Sequence, residues 1–122
     1  MDHRQLLRSL NAGRIVVGAA LVLTPGTSGS RWIGPEAYNP ATKVAIRAMG
    51  ARDLALGLGT MHALAEGAPV RSWALAGALS DIVDATAGLL AVRKLGFRRA
   101  LPFVAIAAAA AASSYVAADR LT

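Results

Sequence analysis

From Ala100 to Ala118 the chain carries no charged residue. Wound as an α-helix rising ~1.5 Å per residue, those 19 residues approach the ~30 Å hydrocarbon core of a bilayer. The rest of the chain fits that segment: 55% of its residues are hydrophobic and its mean hydropathy is +0.47, above the usual share for soluble domains. Only 5% are aromatic, so the apolar character comes from Ala, Leu, Val and Ile, a composition that favours helix over sheet. Residues 1–122 read as a single membrane domain, and the fold class expected is all-α, a four-helix transmembrane bundle.

Start and stop signals place the four helices at about 3–24, 40–66, 69–95 and 98–120. Asp2 stands three residues before Gln5, the spacing of a capping box, and the apolar run that follows ends at Pro25-Gly26. A secretory signal would look similar, but no Ala-x-Ala site follows Thr24 and the later segments are equally apolar, so the segment reads as a retained helix. Asn39-Pro40 supplies an N-cap and first-turn proline for the second helix, and Pro69 opens the third. Arg93 and Lys94 in the last turn, with Gly96 as C-cap, close that third helix. Thr24 to Asn39 is the longest loop, and its Trp32 and Tyr38 are expected to anchor at the interface, as are Trp73 and Tyr115.

The other three helices contain charges, which belong on faces turned to the bundle interior and paired there. At about 100° per residue, Gly77, Asp81, Asp84 and Gly88 fall within one arc of roughly 60° on the third helix. Gly50, Asp53, Gly57 and Met61 share an arc on the second, with Arg47 and Arg52 pointing to other sides. Asn11, Arg14 and Gly18 cluster on the first. Gly18, Gly50, Gly57, Gly77 and Gly88 are therefore expected at close helix contacts, and Arg14, Arg47, Arg52, Asp53, Asp81 and Asp84 form a candidate intramembrane polar cluster of three cations and three anions. Read structurally, the cluster fixes helix register; read functionally, Asp81 and Asp84 form a site for a proton, a cation or a headgroup.

The net charge of +6 and pI near 11.1 raise the question of nucleic acid. The densest basic cluster, Arg93, Lys94, Arg98 and Arg99, brackets Gly96 between two apolar stretches, a position suited to anionic headgroups. Aromatic residues interleaved for base stacking are nearly absent, so the partner expected is the lipid bilayer, and not nucleic acid. The first and third loops carry six cations (Arg31, Lys43, Arg93, Lys94, Arg98 and Arg99) against four in the other flanks (Arg4, Arg8, Arg71 and Arg120), a lean toward both termini outside.

No complete catalytic, metal or cofactor motif is present, and no cofactor is expected. The absence of cysteine removes disulfide, thiolate-metal and iron-sulfur chemistry. Asp81-x-x-Asp84 lacks the longer array of Asp, Gly and Arg that lets metal-dependent lipid enzymes hold a diphosphate. His3 and His62 have no ligand partner at i+3 or i+4, Gly57-x-Gly59 lies mid-helix, and Ser113 and Ser114 have no nearby His or acid.

Gly13-Arg14 with Gly18, Pro25-Gly26, Trp32-x-Gly34, the run Arg47-Ala-Met-Gly-Ala-Arg-Asp-Leu-Ala-Leu-Gly57, and Ser80-Asp81-x-x-Asp84 occur in that order. Over roughly residues 10 to 95 the chain resembles an uncharacterised bacterial family of small four-helix integral membrane proteins, broadly similar in layout to DoxX-like proteins. The resemblance implies a polytopic membrane protein in which Arg14, Arg47, Arg52, Asp53, Asp81 and Asp84 match recurrent polar positions; the Ala-rich fourth segment has no counterpart.

The expectation is a multi-pass protein of the inner (plasma) membrane, acting as an accessory or interaction module that packs with itself, as a homo-oligomer, or within a larger membrane complex. The alternative is a small transporter or a lipid- or quinone-binding protein built on the Arg/Asp cluster, and a membrane enzyme is expected least.

Overall fold

The computed structural model describes residues 2–121, and they are helical almost throughout. Among them run α1 (His3–Leu23), α2 (Pro25–Ile33), a 3-10 turn (Pro35–Tyr38), α3 (Pro40–Ala65), α4 (Arg71–Leu90), α5 (Val92–Leu95) and α6 (Phe97–Arg120). The expected four-helix bundle is thus corrected to six α-helices, two of them short insertions between longer ones.

The long helices begin where local chemistry says they should. Asp2 Oδ1 accepts the Gln5 N–H at 2.8 Å while Gln5 Oε1 accepts the Asp2 N–H at 3.1 Å, completing the capping box of α1. Asn39 Oδ1 accepts the Ala41 N–H at 2.9 Å, with Pro40 in the first turn of α3.

The first insertion, α2, occupies the stretch expected as a loop. Pro25 ends one helix yet also suits the first position of the next, where its missing N–H is no loss. The break is satisfied internally, since the hydroxyls of Thr24 and Ser28 both donate to Ala20 O, at 2.8 and 3.2 Å. Gly26 and Gly29, loop-like by composition, lie against Tyr38 and Ile46 so closely that a Cβ would stand 2.7 and 2.6 Å from them. Tertiary packing, not helix propensity, makes this segment helical.

The second insertion comes from a break in the expected 69–95 helix. Helix α4 stops at Leu90, Ala91 leaves helical geometry at φ −96° and ψ 4°, and α5 is a single turn ending at Gly96, whose φ is +83°. Gly88 brings Val104 and Phe103 of α6 to 2.8 and 3.0 Å from where its Cβ would be, so the chain must reverse within a few residues of Leu90.

Helix α1 runs antiparallel along α3, and α4 antiparallel along α6, these being the two extensive packings. The α1/α3 pair closes at Gly18 and Gly50, each of whose Cβ atoms would stand 2.7 Å from the other's carbonyl oxygen. Two apolar clusters occupy opposite ends of the molecule. Leu7, Ala63, Leu64, Val70, Ala74, Ala117 and Ala118 pack near the termini, and Leu21, Ala37 and Ile46 pack beneath α2.

The surface reverses the usual soluble arrangement: Val16, Val44, Leu79, Leu90 and Ile106 are exposed while Arg14, Asp53 and Asp81 are buried. Helices α1, α4 and α6 are each long and apolar enough to cross a membrane. Helix α3 is not among them, although it has 26 residues, because Lys43, Arg47, Arg52 and Asp53 interrupt it. Three candidate spans, with polar groups inside and apolar groups outside, make this a membrane protein.

Candidate functional site

Arg14 sits near the middle of α1, Arg52 and Asp53 near the middle of α3, and Asp81 and Asp84 just past the middle of α4. Antiparallel packing therefore brings five charged side chains to one level, between the two apolar clusters.

Arg14 and Asp81 form a bidentate pair, with Nη1 donating to Oδ1 at 3.1 Å and Nη2 to Oδ2 at 2.7 Å. Arg52 and Asp84 repeat it, Nη1 to Oδ1 at 3.0 Å and Nη2 to Oδ2 at 2.7 Å. The planar guanidinium fork matches a carboxylate in this way, and the two parallel bonds hold both helices in register. Asp53 lies between the pairs, its Oδ1 accepting from Arg14 Nη1 at 3.4 Å and from Arg52 Nη2 at 3.3 Å. Its other oxygen, Oδ2, accepts no hydrogen bond among the described residues, although the side chain is only 10% exposed.

Two cations and three carboxylates thus meet in one network. A lone charge at the centre of a membrane helix costs about 2.5 to 3.5 kcal/mol to insert, so pairing is what makes this level of the bundle tolerable. Among the described residues the buried Nε atoms of Arg14 and Arg52 have no partner, so the network retains unused donors, and the buried Oγ of Ser80 has none either. Gly77 provides the room: a Cβ there would stand 3.3 Å from Arg14 Nη2.

Arg47, the sixth member expected, lies elsewhere. It is exposed, two turns into α3, and its Nε donates to Val22 O at 3.1 Å, satisfying a carbonyl in the last turn of α1. The five glycines expected at helix contacts are all buried. Besides the Gly18–Gly50 contact and Gly88 against α6, Gly57 lies against Ile15 and Asn11 of α1, and Gly77 against Arg14. Every one of these faces is filled from within the chain.

Beside the network opens a cavity of about 800 Å³, which no sequence pattern announced. Its walls are Leu10, Gly13, Val16 and Val17 of α1 with Phe103, Ile106, Ala107 and Ala110 of α6. Arg14, Asp53, Asp81 and Asp84 form its polar side, and Thr27, Ser28, Arg31 and Trp32 of α2 border it as well. Trp32 stacks on Phe103, ring centroids 5.4 Å apart and planes 2° from parallel, fastening α2 to α6. A smaller cavity of about 280 Å³ also borders this stack, sharing Trp32, Met49, Asp84 and Phe103 with the larger one. The cavity exists because α1 and α6 touch only sparsely while each packs closely on its own partner.

Trp32, assigned from sequence to interfacial anchoring, instead spends one face on Phe103. Tyr38 and Tyr115 are exposed, and Trp73 is partly so, its ring lying over Gly59. Among the described residues no group of His, Asp and Glu is arranged to hold a metal ion. No family model, no curated protein and no solved structure matches the chain.

Proposed function

We propose that this protein is a multi-pass component of a bacterial inner (plasma) membrane that binds an amphiphilic small molecule in the cavity between α1 and α6. The observation that carries this reading is the cavity itself, about 800 Å³, apolar along two helices and polar where it meets Arg14, Asp53, Asp81 and Asp84. That volume lies within the range of ligand sites, about 300 to 1,000 Å³, and an apolar wall with a few convergent polar groups is their usual construction. A lipid or quinone-like molecule would lay its hydrocarbon against α1 and α6 and turn its polar end to the network.

Docking to another membrane protein through small-residue faces draws less support, because Gly18, Gly50, Gly57, Gly77 and Gly88 are already packed inside the chain.

The test is to extract the protein gently from native membranes and weigh it intact by mass spectrometry. A retained amphiphile, whether lipid, quinone or organic cation, that disappears in Gly13→Phe supports the reading. Gly13 lines the cavity and an added Cβ there meets no atom within 4 Å, so a side chain at this position has room to start into the cavity. An unliganded protein, or a stoichiometric partner protein in place of a small molecule, overturns it.

A further inference from the structure

The polar network lacks one positive charge. Both guanidiniums are engaged two-pronged, Arg14 by Asp81 and Arg52 by Asp84, and Asp53 receives only the long single bonds of 3.4 and 3.3 Å to nitrogens already shared. Its Oδ2 accepts no hydrogen bond from the described residues, its side chain is nine-tenths buried, and it lines the cavity. The groups facing it are Arg14 from α1, Arg52 beside it on α3, and Asp81 and Asp84 from α4. Helix α6 contributes only apolar side chains to the lining, and Arg31 of α2, exposed, is the one further cation there. A third carboxylate so placed, away from bulk water, demands a compensating charge.

Resting on the cavity reading above, we propose that the ligand is a lipophilic organic cation that binds at Asp53, and that a proton holds the same carboxylate when the cation is absent. The exchange balances: the Asp53 O–H bond breaks as the cation enters, the electron pair stays on the carboxylate to neutralise it, and one proton leaves to water. Cation and proton then compete for one group, so each cation bound releases one proton.

The test uses the purified full chain in mild detergent and three probes of similar bulk: tetraphenylphosphonium, neutral triphenylphosphine oxide and tetraphenylborate. The expectation is that phosphonium binds at least about tenfold more tightly than the other two. Its affinity should rise about tenfold per pH unit over the range in which Asp53 carries the proton, and calorimetry in two buffers of different ionisation heat should count one proton released. In Asp53→Asn the preference for phosphonium over the oxide should collapse, with Asp53→Glu restoring part of it. The proton count is made on the unaltered chain, so it decides the matter even if neither variant can be purified. Equal binding of oxide and phosphonium, or binding of phosphonium without proton release, overturns the charge assignment while leaving the cavity reading standing. Failure of all three probes to bind counts against the cavity and the proposal together.

Discussion

Arg14 on α1 holds Asp81 on α4 through two parallel hydrogen bonds of 3.1 and 2.7 Å, joining one antiparallel helix pair to the other. Its neighbour Arg52 does the same from α3 to Asp84. The contacts between the two pairs are otherwise narrow, so these ion pairs carry a disproportionate share of the register between them.

Arg14→Ala should therefore be among the most damaging single changes. It leaves Asp81 without its guanidinium and Asp53 with only the 3.3 Å bond from Arg52, and removing one partner of a buried pair costs about 3 to 5 kcal/mol. Arg14→Lys should recover little, because an ammonium cannot supply the two-pronged geometry. Thermal unfolding in detergent checks both, and a melting temperature for Arg14→Ala equal to the parent's would refute the assignment.

Asp53→Asn should behave differently. Both guanidiniums keep their bidentate partners and the amide oxygen can still accept at the Oδ1 position, so stability should stay within about 1 kcal/mol of the parent. The informative comparison is with Asp81→Asn measured under identical conditions, which should be clearly more destabilising because it removes the charge from a bidentate pair. Equal losses for the two would mean that Asp53 is as deeply committed as Asp81.

Gly18→Leu should drive α1 off α3. Even a Cβ at Gly18 would stand 2.7 Å from Gly50 O and 2.9 Å from Leu54 N, both backbone atoms that cannot rotate away. Overpacking of this kind costs at least about 1 to 3 kcal/mol, whereas Gly13→Ala, on the same helix with open space around it, should be nearly neutral. Size-exclusion profiles and melting temperatures of the two variants should separate cleanly.

Both termini should lie on one face of the membrane, since α1 is antiparallel to α3 and α4 to α6. The opposite end gathers Arg31, Lys43, Arg93, Lys94, Arg98 and Arg99 against the single acid Glu36, while the termini end sets Arg4, Arg8, Arg71 and Arg120 against Asp2, Glu66 and Asp119. Positive residues stay cytoplasmic, so reporter fusions to either terminus should report an external location. Opposite locations for the two fusions would contradict the packing, and two cytoplasmic termini would contradict the charge rule here.

Much of the site was legible in the primary structure because helical periodicity is a local property. The arc through Gly77, Asp81, Asp84 and Gly88 and the arc through Asn11, Arg14 and Gly18 follow from spacing, and all but half-buried Asp84 are buried in the fold. Arg47 and Arg52 show where that reasoning stops. Both lie off the Gly50–Asp53–Gly57 arc, yet Arg52 reaches Asp84 while Arg47 turns to Val22 O, a choice made by which neighbour stands within reach of a long side chain.

The sequence by itself determined the helical class, the caps at Asp2 and Asn39, the apolar length of α6 and the faces on which charge had to be hidden. All of these depend on residues a few positions apart. Only the tertiary structure decided that Pro25 starts a helix as well as ending one, that Ala91 breaks α4 from α5, that two guanidiniums serve three carboxylates, and that α1 and α6 part to leave a cavity. The physical reason is that pairing, helix breaks and voids depend on which distant backbones approach one another, and that is settled by contacts such as Gly18 on Gly50 and Gly88 on Phe103, not by spacing along the chain.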